Sequence, residues 1–208
     1  MANFLPALAF PSLTPLYDPL IRLTMPEEAF KNRVLDLAGV AEGTSVLEVG
    51  CGTGTLAIMA ARRGARVTAV DADETILAIA KKKATGLDIH FVHGLAQEAD
   101  LPPASFDAAV SSLFFHHLST ENKLTVLRTL ATSLRPGAKL CVADWGKPQD
   151  TAMAALIGAV RLLDGPTVDD NREGRLPALV AEAGFREVTV VAEQRTLFGT
   201  LAFVVGTA

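Results

Sequence analysis

The chain has 208 residues, of which 50% are hydrophobic and 20% are charged, and its formal net charge is −4 at pH 7. This composition predicts one well-cored globular domain and excludes a disordered or fibrous chain. The acidic balance argues against a broad basic surface for nucleic acid. The two cysteines, Cys51 and Cys141, allow neither a disulfide framework nor a cysteine-rich metal site.

The amino-terminal segment, Met1 to Leu23, is apolar but is interrupted by four prolines, and it lacks the basic start of a signal peptide. We expect residues 1–40 to form a helical lid over a pocket. Contact of this lid with a membrane surface is an alternative that we do not favour. No apolar run reaches the roughly 18 residues that predict a membrane span. Together with two thiols that we interpret as reduced, these features predict a cytoplasmic protein.

Strand-like and helix-like patterns then alternate along the chain. A capping box at Thr24–Glu27 predicts the first helix, which Gly39 ends. Apolar periodicity predicts further helices at 55–63, 74–84, 119–134, 151–163 and 176–183. In the helix at 119–134, the inward stripe is predicted to be Leu124, Leu127, Ala131 and Leu134. Short apolar runs predict strands at 45–49, 66–70, 89–92, 106–111, 139–143, 187–191 and 201–205.

This alternation predicts a Rossmann-like, doubly wound α/β domain, with helices on both faces of a mostly parallel seven-stranded sheet. The last two strands have no crossover helix between them, so the final strand should run antiparallel. We divide the single domain, 1–208, into the lid at 1–40, a cofactor-binding core at 41–145, a substrate-side insertion at 146–172, and a carboxyl-terminal helix and strand pair at 173–208. Within the insertion, we interpret the charged stretch from Asp164 to Arg172 as a solvated loop.

A glycine-rich loop carries the strongest functional signal. Gly50, Gly52 and Gly54 follow the first predicted strand, where open α/β sheets bind ligands, and they let the backbone approach a ligand closely. The third glycine comes one position too early for the dinucleotide pattern G-x-G-x-x-G. Glu48 precedes the loop, where its carboxylate would repel a pyrophosphate and attract an ammonium group. A ligand with a cationic amino-acid end and a nucleoside end therefore fits better than NAD.

The second predicted strand ends at Asp71, which places a carboxylate beside the glycine loop. There it can accept hydrogen bonds from both hydroxyls of a ribose. A helix-capping role for Asp71 is the alternative, but Asp73 is better placed to cap the helix that follows. We therefore favour ligand binding for Asp71.

Four successive motifs resemble those of the class I S-adenosylmethionine-dependent methyltransferases, and the nearest branch is the small-molecule one that includes ubiquinone and menaquinone methyltransferases. These motifs are Val46–Gly54, Val70-Asp71, Ser105-Phe106-Asp107 and Leu134-Arg135-Pro136-Gly137. The resemblance covers Ser45 to Trp145 well and the rest by topology. It implies an enzyme that uses S-adenosyl-L-methionine, releases S-adenosyl-L-homocysteine, and methylates an O, N or C atom of a small molecule, not of a nucleic acid.

The resemblance also implies roles at matching positions. Glu48 would orient the amino group of the cofactor, Asp71 would hold its ribose, and Ala72 would pack near its adenine. Further positions assigned to the cofactor are Tyr17, Gly50, Cys51, Gly52, Thr53, Gly54, Leu95, Ala96 and Ser112. Tyr17 would cover the cofactor, although packing is an equal alternative, and Ser112 would offer backbone contacts to the methionine part.

Leu95 departs from the family pattern. Relatives often have Gly-Asp-Ala where this chain has Gly94-Leu95-Ala96, and leucine cannot accept a hydrogen bond from the adenine amino group. Adenine recognition then rests on apolar packing and the Ala96 backbone, or on Gln97 or Glu98.

Candidates for the acceptor side follow the fourth and fifth predicted strands. His116 and His117 are candidate catalytic bases, because imidazole titrates near neutrality; packing at a helix start is the alternative. Two adjacent histidines alone are a weak metal signal, so we expect no metal. We assign substrate binding to His117, Asp144 and Trp145. Asp144 would bind a cationic acceptor or end the strand in solvent, and Trp145 would form a pocket wall or part of the core.

Two other functions stay open. One is a non-catalytic domain that binds S-adenosylmethionine and works with a partner. The other is an NAD(P)-linked oxidoreductase, which the loop spacing and Glu48 disfavour. The sequence patterns predict neither the identity of the methyl acceptor nor the oligomeric state.

Overall fold

The computed structural model of the chain describes residues 27–151, 153–155, 161, 166–197 and 199–208. Tyr17 and most of the expected lid lie outside the described residues, as does much of the helix expected at 151–163. In the part that is described, no helix combines the length and the apolar run needed to cross a membrane.

One sheet joins all seven described strands, in the order β3-β2-β1-β4-β5-β7-β6. The strands are β1 Ser45–Val49, β2 Arg66–Asp71, β3 Ile89–His93, β4 Phe106–Ser112, β5 Leu134–Trp145, β6 Arg186–Arg195 and β7 Thr200–Thr207. Strands β1 to β5 pair in parallel, and β7 lies antiparallel between β5 and β6. The predicted fold, including the antiparallel last strand, is confirmed.

Helices cover both faces of the sheet. They are α1 Glu27–Leu37, α2 Thr55–Arg62, α3 Glu74–Lys83, α4 Thr120–Ser133, α5 Asp169–Arg172 and α6 Leu176–Glu182, with 3-10 turns at Phe115–His117 and Pro166–Val168. Since side chains alternate along a strand, β1 divides its residues between two buried apolar clusters. Val46 packs with α1 and α2 on one face, and Leu47 packs with α4 and α6 on the other.

Local signals account for several element boundaries. The Asp73 side chain accepts hydrogen bonds from the backbone N–H groups of Thr75 and Ile76, and so caps α3 as predicted. Strand β5 starts five residues earlier than predicted, at Leu134. This earlier start arises because Leu134 already pairs with Phe106 of β4, before a shift in register.

The solvated loop predicted over 164–172 is wrong for its described part. Residues 166–172 form a 3-10 turn and α5, and Asp170 and Asn171 are buried. Asp170 accepts a hydrogen bond at 3.1 Å from Nζ of Lys123, a lysine of α4 that is itself fully buried. A buried ammonium group needs a charged or polar partner, and this requirement holds the segment against the domain.

Candidate active site

The glycine loop, residues 50–54, leaves β1 at the carboxyl edge of the sheet and leads into α2. Its start is tied to the neighbouring strand, because the N–H groups of Gly50 and Cys51 both donate to the Val70 carbonyl, at 2.9 and 3.1 Å. Gly50, Gly52 and Gly54 all have φ between 55° and 76°. This left-handed backbone region favours glycine, so the three glycines lie where the sharp bend requires them.

The three glycines differ in what surrounds them. A Cβ on Gly50 would lie 2.2 Å from Cγ of Phe114, and one on Gly54 would lie 3.0 Å from Cβ of Ala80. A Cβ on Gly52 would meet no described atom within 4 Å. Gly50 and Gly54 therefore allow close internal packing, whereas the described residues leave one face of the loop open to a ligand at Gly52.

Asp71 ends β2 beside this loop. Its Oδ2 accepts the Gly52 N–H at 2.7 Å, and its Oδ1 accepts the Asp73 N–H at 3.0 Å. Burial raises the pKa of Asp71, while these backbone hydrogen bonds oppose the shift. A carboxylate has about four acceptor positions, so Asp71 can hold the loop and still accept hydrogen bonds from a ligand.

Glu48 is a buried carboxyl group beside the loop, with 1% of its surface exposed. No group among the described residues forms a hydrogen bond with its Oε2. Burial raises the pKa of Glu48 to about 8; the Lys31 charge opposes this shift and the Asp71 charge adds to it. A buried polar atom without a partner is costly, and a bound ammonium group would satisfy it. The site residues therefore fit a ligand with a cationic amino group.

The other predicted cofactor positions lie around the same edge. Cys51, Thr53 and Ala96 are buried, and Leu95 and Ser112 are half-buried. Burial, followed by the Glu48 and Asp71 charges, raises the pKa of the Cys51 thiol, so it is an unreactive neighbour of the site.

Three further features of this edge have no counterpart among the motifs of the sequence. His93 places Nε2 3.1 Å from the Ala72 carbonyl, and Lys83 donates to Oγ1 of Thr53 at 3.1 Å. Leu113 has a φ of 53°, which is unusual for a residue with a Cβ. It precedes Phe114, whose ring packs against Gly50. The pairing of β2 with β3 could have indicated His93, but a positive φ at leucine has no sequence signal.

On the acceptor side, the structure brings His116, His117, Asp144 and Trp145 together. The Nδ1 atom of His116 lies 2.7 Å from Oδ1 of Asp144, and both residues are buried. The ring centroids of His116 and His117 are 3.9 Å apart, and those of His116 and Trp145 are 6.1 Å apart. Residues that follow β4 and end β5 thus meet beside the glycine loop.

The environment of Asp144 differs from both environments that the sequence predicts for it. The residue has no exposed surface and its carboxylate is occupied by protein groups, so it is neither a solvated strand end nor open to a cationic acceptor. His116 is likewise committed to a buried hydrogen bond. Trp145 is 7% exposed and belongs to the apolar cluster on the α1 and α2 face.

His117 is half-buried and is the histidine that remains a candidate base. Burial, with a smaller effect of the neighbouring His116, lowers the pKa of His117 to about 3, against an opposing effect of Asp144. The ring is therefore neutral near pH 7. In that state one of its nitrogens can accept a proton or a hydrogen bond.

Comparisons with known proteins agree with this geometry. Residues 46–137 match the methyltransferase domain family. An uncharacterized methyltransferase of Mycobacterium tuberculosis is 41% identical over 103 residues, which are 50% of this chain and 51% of that protein. The demethylmenaquinone methyltransferase of Thermus thermophilus is 32% identical over 145 residues, 67% of this chain and 65% of that protein. The chain thus spans about half the length of the curated relatives it matches at about 40% identity.

Among solved structures, a SAM-dependent methyltransferase from Aquifex aeolicus superposes with a TM-score of 0.68. It is 22% identical, and the match covers 96% of this chain and 99% of that one, so it supports the fold. The sheet and the glycine loop define a Rossmann-like domain of the methyltransferase type. Together the matched domain, the relatives and the fold support a class I S-adenosylmethionine-dependent methyltransferase.

Proposed function

We propose that the chain binds S-adenosyl-L-methionine at the glycine loop and transfers the methyl group to an O, N or C atom of a small molecule. The observation that carries this proposal is Oε2 of Glu48, which is buried just before the glycine loop and has no hydrogen-bond partner among the described residues. A cationic amino-acid end fits this place, and a pyrophosphate does not.

The roles that we propose follow the geometry around the loop. Glu48 accepts the amino group, Asp71 accepts the ribose hydroxyls, and Ala72 with its carbonyl held by His93 flanks the adenine. The positions that we propose to line the rest of the cofactor are Tyr17, Gly50, Cys51, Gly52, Thr53, Gly54, Leu95, Ala96 and Ser112. Because Leu95 offers no acceptor, apolar packing carries more of the adenine recognition here.

When bound, S-adenosyl-L-methionine supplies an electrophilic methyl carbon, and the protein mainly aligns the acceptor with it. We propose that a ring nitrogen of neutral His117 accepts the proton of the acceptor. Its pKa of about 3 is too low to ionise an alcohol beforehand. His117 would therefore take the proton of the acceptor as the acceptor bonds to the methyl carbon and the bond from that carbon to sulfur breaks, with S-adenosylhomocysteine as the leaving group. Trp145 would shape the acceptor side through its contact with His116.

The wider organisation is also proposed. All described strands form one sheet, which supports a single domain over 1–208 with a lid at 1–40 and a substrate-side insertion at 146–172. The relatives named as demethylmenaquinone methyltransferase and ubiquinone biosynthesis O-methyltransferase support a small-molecule acceptor, with quinols and phenols as the first compounds to test. We propose a cytoplasmic location from the sequence features.

The test has two stages. Isothermal titration calorimetry with S-adenosylhomocysteine, S-adenosylmethionine and NAD should show binding of the first two ligands and none of NAD. Incubation with methyl-labelled S-adenosylmethionine and a panel of phenols, quinols and amines should then yield a labelled product. Binding of NAD alone would overturn the proposal in favour of an oxidoreductase. Bound cofactor without product, even with whole-cell metabolite extract, would overturn it in favour of a non-catalytic binding domain.

A further inference from the structure

A buried carboxylate links the two halves of the candidate site. Asp144, near the end of β5, accepts four N–H groups: its Oδ2 accepts the backbone N–H groups of Phe114 and His116, at 3.1 and 3.3 Å. Its Oδ1 accepts the Trp145 N–H and faces Nδ1 of His116, both at 2.7 Å. The segment that follows β4 is therefore held to β5 through one side chain.

The held segment touches both sides of the site. The Phe114 ring packs against Gly50, within the loop that we propose binds the cofactor. The His116 ring lies 3.9 Å, centroid to centroid, from the ring of His117, the proposed base on the acceptor side. A change in the position of residues 114–116 would thus shift both the glycine loop and the His117 ring.

The titratable groups around Asp144 come from two elements. His116 and His117 face it from the 3-10 turn, and the ammonium of Lys123 acts on it from α4. Burial disfavours the charge on Asp144, but the interactions with His116 and the hydrogen bond from the Trp145 N–H together outweigh burial, and the pKa of Asp144 falls below its usual value. The carboxylate is therefore ionised, and it accepts from all four N–H groups that face it.

We propose that Asp144 is a positioning residue that sets the cofactor loop, through Phe114, and the acceptor base His117, through His116, in one arrangement. This inference rests on the proposed function and deepens it. A cationic acceptor does not reach Asp144; the residue acts on the reaction through its neighbours.

An Asp144→Asn variant tests the inference. An amide has a single acceptor oxygen, so it cannot accept all four N–H groups, and its own N–H₂ would face two of the donors. Residues 114–116 should then shift and His117 should become more hydrated. Loss of the Asp144 charge lowers the His117 pKa, but burial has the larger effect on it, so the added hydration should prevail. In nuclear magnetic resonance titrations of the ligand-free protein, the His117 pKa should therefore rise towards 6.5, and S-adenosylhomocysteine should bind at least fivefold more weakly.

Asp107→Asn is the matched control. Asp107 also accepts a backbone N–H, from Ser45 at 2.9 Å, and pairs with Arg135, but it lies at the opposite end of β4 from the site. Its replacement should change neither the His117 titration nor the affinity. An Asp144→Asn protein that folds with the wild-type titration and affinity would overturn the inference.

The His116→Asn variant separates the effect of Asp144 on the cofactor loop from its effect on His117. It also tests the inference if the Asp144→Asn protein does not fold. Its side-chain N–H can still donate to Asp144, so Phe114 and the cofactor loop should stay in place. The ring contact with His117 is lost, so the His117 pKa should rise while S-adenosylhomocysteine affinity stays within twofold of wild type. An unchanged His117 titration in this variant would overturn the inference. Since the titration needs no ligand, its result is independent of whether the wild-type protein binds S-adenosylhomocysteine.

Discussion

The backbone N–H of Gly52 donates to Oδ2 of Asp71 at 2.7 Å, across 19 residues of sequence. The carboxylate that ends β2 thereby fixes the loop that follows β1. The glycine loop and Asp71 are separate in the sequence but form one structure. Asp71, the candidate for ribose binding, therefore also fixes the backbone at Gly52, where the described residues leave the loop open. Cofactor affinity should therefore depend strongly on Asp71.

Replacing Asp71 with alanine should weaken S-adenosylhomocysteine binding at least tenfold, since each hydrogen bond to a charged group contributes about 1.5–3 kcal/mol. Calorimetric titration measures the change. Asp73→Ala is the control: it removes a carboxylate two residues away and the cap of α3, which costs about 1 kcal/mol of stability but should preserve affinity. Equal affinities of the Asp71 variant and the wild type would contradict the ribose role.

Glu48 should release a proton when the cofactor binds. Its pKa of about 8 in the ligand-free protein means that it is mostly protonated at pH 7, and an ammonium ligand favours the charged form. Calorimetry in two buffers of different ionisation enthalpy should show nearly one proton released per ligand at pH 7. Affinity should rise as the pH increases from about 6 to 8.

The Glu48→Gln variant separates this proton from any proton that the ligand itself exchanges. Glutamine keeps the size of the side chain but does not titrate, so the protons released should fall by nearly one. The same proton count in the variant and the wild type would show that Glu48 does not meet the amino group.

The glycines of the loop should respond differently to alanine. Gly52→Ala should cost roughly 1–2 kcal/mol of stability for its positive φ, but its Cβ would occupy the open face and weaken S-adenosylhomocysteine binding. Gly50→Ala adds a clash with Phe114 to the same backbone strain, so it should unfold at a lower urea concentration than Gly52→Ala. The double variant Gly50→Ala, Phe114→Ala should recover part of that loss. Full affinity in Gly52→Ala would argue against a ligand at this face.

The buried lysine of α4 should matter for stability more than for binding. Lys123→Met leaves the Asp170 carboxylate without its buried ammonium partner, and we expect a loss of about 3 kcal/mol in urea unfolding. The exposed Lys82→Met should stay within about 0.5 kcal/mol of wild type. Adding Asp170→Asn to Lys123→Met should restore part of the loss. A Lys123→Met protein as stable as wild type would contradict the anchoring role.

The same lysine shows where sequence patterns fail. The apolar stripe predicted for α4 includes Leu124 and Ala131, yet both are only half-buried, and Lys123 and Leu130 lie on the buried face instead. Hydrophobic periodicity cannot orient a helix whose inward residue is charged, because the partner that makes burial tolerable is Asp170, 47 residues further on. The same pair explains why a solvated loop was the wrong prediction for residues 166–172.

The sheet and the glycine loop were predictable because each depends on local sequence. Apolar strands, the Asp73 cap and the glycines at positive φ each need only a few neighbouring residues. The environment of Asp144 depends on the meeting of β5 with the turn after β4, which no short pattern encodes. A strand-end aspartate looks alike in a sequence whether it faces solvent or four N–H groups.

A crystal structure with S-adenosylhomocysteine tests the central proposal most directly. We predict that the amino group of the ligand lies within hydrogen-bond distance of Oε2 of Glu48, and that the ribose hydroxyls donate to the carboxylate of Asp71. A ligand bound elsewhere, or a glycine loop that binds the pyrophosphate of NAD and leaves S-adenosylhomocysteine out, would contradict it.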